Sequence, residues 1–214
     1  VFGIVVLVSA KSVVKQHGSR FTLGPVDLEL RSGEVLGIIG EPGAGKTTLL
    51  KLIWGFLRPD QGSISVFHLK PHLNQLSVRQ RTGYLSESPG FDRCRTARQY
   101  VRFAAPFYEG WNEATVQTLL ERFRIDPEIC VQDLSDVEKV KLALISTIGH
   151  DPFLLLLDDP MARLNAHGQV EISEFLKTLS SERDLAVLMS AQHSSSLLPW
   201  TDSILRLIDG KMES

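Results

Sequence analysis

An α/β fold with a mainly parallel central sheet is predicted for this chain by three observations. The apolar run at residues 35–39 leads straight into a glycine-rich loop and a helix-forming stretch at 49–54. Two further continuous apolar runs, 153–157 and 185–189, end in the polar clusters Asp158-Asp159-Pro160 and Ser190-Ala191-Gln192-His193. Strands buried on both faces read as unbroken apolar runs, and their C-terminal ends form the edge where ligands bind in open α/β sheets. With 214 residues and 43% hydrophobic content, the chain can bury one sizeable core.

Residues 1–8 are the most apolar terminal stretch; they contain Gly3, are far too short to cross a bilayer, and read as a strand. No basic segment precedes them and no cleavage-type sequence follows, which speaks against a signal peptide. Val26, Leu28 and Leu30 alternate with Asp27, Glu29 and Arg31, the period-two pattern of a half-buried strand that turns at Ser32-Gly33. Sheet therefore dominates the first third, as an N-terminal antiparallel β subdomain. Pro59-Asp60-Gln61-Gly62 signals a turn into a short strand at 63–67, and 82–85 reads as another strand. From 96 to 123 the pattern turns helical, with Tyr100, Phe103, Ala104 and Phe107 on one side and a break at Glu109-Gly110. The expected organisation is a single domain: a core from 1–85 and 150–214, with a helical subdomain inserted at 86–149. Internal repeats and low-complexity tracts are absent.

The loop Gly40-Glu41-Pro42-Gly43-Ala44-Gly45-Lys46-Thr47-Thr48 has the composition of a phosphate-binding loop. A triphosphate concentrates negative charge that many donors must meet at close range. Glycines let the chain wrap a phosphate and aim successive N–H groups inward, where the helix start adds its positive dipole end. Lys46 would reach the β- and γ-phosphates, and the Thr47 hydroxyl would ligate Mg²⁺. Asp158, ending an apolar strand, would bind Mg²⁺ through water, and Asp159 would polarise the attacking water. The fold class is then an α/β P-loop NTPase. A formal charge of -2 without a long basic tract gives no electrostatic case for nucleic acid, which is not an expected partner. Cys94 and Cys130 fall in no metal-ligand spacing and read as reduced cytosolic thiols.

In their order and spacing these motifs resemble the nucleotide-binding subunits of the ATP-binding cassette (ABC) family over nearly the whole chain. Thr82-Gly83-Tyr84-Leu85-Ser86-Glu87 is similar to the Q-loop region, with Glu87 in place of Gln. The segment from Phe107-Tyr108-Glu109-Gly110 to Trp111-Asn112-Glu113 resembles exporter-type cassettes. Leu134-Ser135-Asp136-Val137-Glu138 stands where the signature Leu-Ser-Gly-Gly-Gln would be, matching in its first two residues. In the family that segment contacts the γ-phosphate of ATP held by the opposite subunit. Asp159 stands for the catalytic Glu, Ala162-Arg163-Leu164-Asn165 for the D-loop, and Gln192 for the switch histidine, with His193 one residue late.

The resemblance implies ATP and Mg²⁺ as ligands, with Thr47, Asp158 and Glu87 at the metal. Lys46, Asp159 and Gln192 or His193 would serve hydrolysis, and His17 would stack on adenine. Its partners would be transmembrane permease subunits and a second nucleotide-binding subunit, identical or not, on the cytoplasmic face of the membrane. Several readings stay open. Ser135 is either a phosphate contact or an ordinary N-cap that forms a capping box with Glu138. His17 is either the stacking ring or a solvent-exposed loop residue, with Phe21 the second candidate. Arg95, Arg98 and Arg102 form either a solvated helix face, the favoured reading, or a docking stripe. Tyr100, Phe103, Phe107 and Trp111 are expected to pack in the core. Two functions compete: an ATP-driven motor subunit, with export the favoured direction, and a regulatory cassette that binds nucleotide but turns it over slowly or not at all.

Overall fold

The computed structural model describes residues 5–18, 21–91, 95–193 and 200–213. Cys94 and the first four residues of the apolar N-terminal stretch lie outside the described residues. Strands β1 (Val6–His17) and β2 (Phe21–Arg31) pair antiparallel from Val6 opposite Arg31 to His17 opposite Phe21. With β4 (Gln61–Val66) they form a three-stranded sheet ordered β2-β1-β4. β1 runs far beyond the apolar stretch that announces it. Its register shifts between Ala10 and Val13 and again between Val13 and Lys15, so the alternation of burial is broken and no period-two signal survives in the sequence.

β3 (Val35–Ile39), β5 (Thr82–Leu85), β6 (Leu154–Leu157), β7 (Ala186–Ala191) and β8 (Ser203–Ile208) are mutually parallel in a second sheet, closed by the antiparallel β9 (Lys211–Glu213). Its order is β5-β6-β7-β3-β8-β9. Every residue of β3, β6 and β7 is buried, and successive side chains feed opposite cores: Leu155 and Leu157 on one face, Leu154 and Leu156 on the other. The expected continuous apolar runs are thus central strands. Phe153, expected to open the β6 strand, precedes it and is exposed.

Helix α1 (Lys46–Ile53) follows β3 at once and packs Leu49 and Ile53 against the core shared with β1 and β2. Beyond the short α2 (Gln75–Arg79), the chain between β5 and β6 is helical: α3 (Ala97–Arg102), α4 (Glu113–Phe123) and α5 (Asp136–Ile148). α6 (Ala166–Arg183) then packs Ile172 and Leu176 on the same core as Leu142 and Ile145 of α5.

The aromatic set splits, contrary to expectation. Tyr100 stacks on Phe91 at 5.1 Å, and Trp111 packs against the core beside Gly149. Phe103 and Phe107 instead are 60% and 64% exposed and meet each other edge to face at 5.9 Å. α3 stops at Arg102, and the 3-10 turn Ala105–Phe107 that follows contains Pro106, so the helical rotation that would return these rings to the core face does not continue.

Candidate functional site

The loop between β3 and α1 is shaped by its glycines. Gly43 and Gly45 lie at φ 86 and 103, a left-handed region costly for any side chain. A Cβ on Gly45 would approach Leu23 Cδ1 to 2.9 Å, and one on Gly40 would stand 2.4 Å from the Leu207 carbonyl oxygen. α1 begins without a side-chain cap and carries no acid in its first turn, which leaves its first amides to an external anion. The buried Lys46 ammonium lies across the loop, donating to the carbonyls of Gly40 and of Glu41, the latter at 3.1 Å. Ala44 is buried beneath the loop.

From the next position, Thr47 Oγ1 donates to Asp158 Oδ1 at 3.0 Å, although 111 residues separate the two. Asp158 is buried directly beyond the C-terminal end of β6, and the Tyr84 hydroxyl lies 3.5 Å from its Oδ2. Burial, and then the negative charge of Asp158, push the Tyr84 hydroxyl well above its ordinary range. Asp159 is buried too, in a left-handed conformation at φ 44. Burial pushes its carboxyl above the usual carboxylate value; Lys46 opposes this, Glu87 and Asp158 add to it, and a hydrogen bond with Gln192 opposes it. A group held this way is a poised proton acceptor.

One cavity of about 350 Å³ collects most of the expected residues. Pro42, Gly43, Gly45, Lys46, Thr47 and Thr48 line it together with Glu87, Asp158, Asp159 and Gln192. His17 and Phe21 stand at its edge, with ring centroids 6.2 Å apart and the exposed His17 Nε2 3.4 Å from Thr48 Oγ1. Both candidates for stacking thus border the same space.

Gly40, Glu41 and Ala44 belong to the loop without lining this cavity, and neither Ser135, expected to meet nucleotide of an opposite subunit, nor His193 lines it. Ser135 is the N-cap of α5 in a complete capping box: its amide donates to Glu138 Oε2 at 2.8 Å, its hydroxyl to the same oxygen at 2.6 Å, and the Glu138 amide donates to Ser135 Oγ at 3.3 Å. These bonds to Ser135 hold the Glu138 carboxyl below the usual range. His193, exposed, lines a smaller neighbouring cavity of about 200 Å³. The arginines are occupied within the chain: Arg98 pairs with Glu128 at 2.8 Å, Arg102 with Glu113 at 2.7 Å, and Arg95 sits 4.6 Å over the Phe103 ring. Theirs is an exposed face paired within the chain. Tyr84 and Ser190 contact Asp158 without having been singled out by sequence; the one available signal was a hydroxyl-bearing residue at the end of an apolar run.

The donors at Thr47 and Asp158 are hard oxygens in direct contact at the cavity wall, a set that fits Mg²⁺. Among the described residues no group of three or more His, Cys, Asp or Glu is placed to hold a metal alone.

Residues 23–162 match the family model described as ABC transporter. The chain is 26% identical over 208 residues to the bacitracin transport ATP-binding protein BcrA of Bacillus licheniformis, covering 96% of this chain and 68% of that protein. To the ABC transporter ATP-binding protein NatA of Bacillus subtilis it is 31% identical over 195 residues, 87% of this chain and 78% of the other. Its fold superposes on cbiO1 from Clostridium perfringens, part of the ABC transporter complex cbiONQ, with a TM-score of 0.87 at 21% identity, over 98% of this chain and 87% of that one. The uncapped phosphate loop, the Asp158-Asp159 edge and these likenesses over most of the chain place it in the ABC transporter family, as an ATP-binding subunit.

Proposed function

We propose that this chain binds ATP with Mg²⁺ and couples that binding, with slow hydrolysis, to transport by separate membrane-spanning permease subunits. It works as a dimer with a second cassette on the cytoplasmic face of the membrane, in the export direction. The observation that carries the proposal is the single cavity in which open α1 amides, the Lys46 ammonium, the Thr47–Asp158 oxygen pair and the raised Asp159 carboxyl converge. Export is supported by the resemblance of the segment from Phe107 to Glu113 to exporter-type cassettes. Among the described residues no helix is long and apolar enough to cross a membrane.

The α1 amides and Lys46 hold the β- and γ-phosphates in line. Thr47 and Asp158 would hold Mg²⁺, which would supply charge neutralisation for the phosphates when bound. Asp159 accepts a hydrogen bond from the attacking water and takes its proton as the water oxygen bonds to the γ-phosphorus and the bond to the β-phosphate oxygen breaks. Gln192 orients the Asp159 carboxyl. Turnover is slow because an aspartate carboxyl is one methylene shorter than a glutamate and holds the water less well.

A second reading, the regulatory cassette, is favoured by one observation. The hydroxyl and amide of Ser135 are already spent on Glu138, so this end of α5 has a built-in carboxylate where a phosphate contact would be needed. Titration calorimetry with Mg-ATP is expected to register binding that Lys46→Ala abolishes. Turnover by the unmodified chain or its natural complex supports the motor. Tight binding with turnover only in the Asp159→Glu, Gln192→His double variant selects the regulatory reading, and absence of binding overturns both.

A further inference from the structure

We propose that Ser190 is a positioning residue that sets the Asp158-Asp159 pair through a single hydroxyl. It lies near the C-terminal end of β7, 1% exposed, one residue past the last rung of the β6–β7 ladder, Leu157 opposite Met189. Beyond that rung the two strands no longer exchange backbone bonds, and the Ser190 side chain replaces them. Its Oγ accepts from the Asp159 amide at 2.9 Å and donates its one proton to Asp158 Oδ1 at 3.0 Å. The same Oδ1 takes the Thr47 hydroxyl at 3.0 Å. Asp159 sits in the left-handed region, which a non-glycine residue adopts only where its surroundings hold it. Ser190 supplies that hold at the amide, and the same hydroxyl fixes the rotation of the neighbouring carboxylate. Its removal would leave a buried N–H unpaired and Asp158 steered by Thr47 and the distant Tyr84 hydroxyl alone.

The inference rests on the nucleotide reading above, and a binding measurement separates the two. Calorimetric dissociation constants for ATP are taken with Mg²⁺ and with EDTA in the unmodified chain, Ser190→Ala and Ser190→Thr. Because a hydrogen bond to a charged group is at stake, Ser190→Ala is expected to shrink the Mg²⁺-dependent gain in affinity by about tenfold. The EDTA constant should stay unchanged, and kcat should fall with little change in KM. Ser190→Thr, which keeps the hydroxyl, retains the unmodified ratio. Equal weakening of both constants in Ser190→Ala, an unchanged ratio, or loss of the ratio in both variants would assign Ser190 to packing and overturn the inference. Should Ser190→Ala not fold, Ser190→Cys, with its weaker donor, must shift the ratio in the same direction. An unmodified chain that binds no ATP at all overturns the nucleotide reading first.

Discussion

His150 makes the stability of this protein dependent on pH in a way that can be worked from its surroundings. It follows α5, is 4% exposed, and stacks on Tyr108 with centroids 3.7 Å apart and planes 12° from parallel. Both ring nitrogens are buried, and neither makes a hydrogen bond of good geometry. Burial, the largest cause, lowers its pKa from 6.5 to about 4, and a backbone hydrogen bond with Thr82 and then the negative charge of Asp151 oppose this only in part. An unfolded chain binds a proton at this side chain below pH about 6.5, whereas the folded chain does not until pH about 4. Between those values the unfolded state carries more protons, so stability is lost as pH falls. The loss is about 2 kcal/mol at pH about 5 and approaches about 3 kcal/mol near pH 4, from 1.36 kcal/mol per pKa unit. Urea unfolding of the unmodified chain and of His150→Phe at about pH 7.5 and about pH 5 isolates the effect, since every other titrating group is common to both. Phenylalanine keeps the stack on Tyr108 and cannot take a proton. If the stability difference between the two proteins is the same at both pH values, the imidazole is not held neutral by burial and the reasoning fails.

The exposed aromatics give a contrasting outcome: because Phe103 and Phe107 stand clear of the core, Phe103→Ser and Phe107→Ser are each expected to change unfolding stability by no more than about 0.5 kcal/mol. A loss of several kcal/mol in thermal or urea unfolding would return them to the core. Ser135→Ala removes the α5 cap and should cost about 1 kcal/mol in the same measurement. ATP affinity of the monomeric chain, measured by calorimetry, should not move with it, since Ser135 does not line the chain's own phosphate cavity; a parallel drop in affinity would make Ser135 a phosphate contact instead of a cap alone.

Much of the architecture was legible locally. The strand at 35–39 has the boundaries its apolar run announces, because a strand buried on both faces needs no alternation to be recognised, and the strand at 82–85 also falls where the sequence places it. α1 starts at Lys46, three residues before the helix-forming stretch begins, since the phosphate loop passes into its first turn without a break. β1 was legible only at its start, its bulges erasing the period, and β8 and β9 were not read at all: β8 is partly exposed, and β9 has three exposed residues. At the site, Lys46, Thr47, Asp158 and Asp159 were each readable because a phosphate loop and a strand-ending carboxylate are short-range patterns. The capping box at Ser135 and Glu138 was readable for the same reason, as one of two alternatives.

Sequence alone determined that the chain has a phosphate loop between a strand and a helix, two buried strands ending in polar residues, and a composition able to bury a core. What only the tertiary structure decided is which of those ends meet. The parallel order β6-β7-β3 carries the C-terminal edges of three strands to one side, where Thr47 reaches Asp158 and Ser190 reaches both aspartates. It also sends His193 to a neighbouring cavity. The physical reason is range: loop and strand patterns are set by neighbours a few residues away, whereas a hydrogen bond spanning 111 residues exists only once strand register and burial have brought its two ends together.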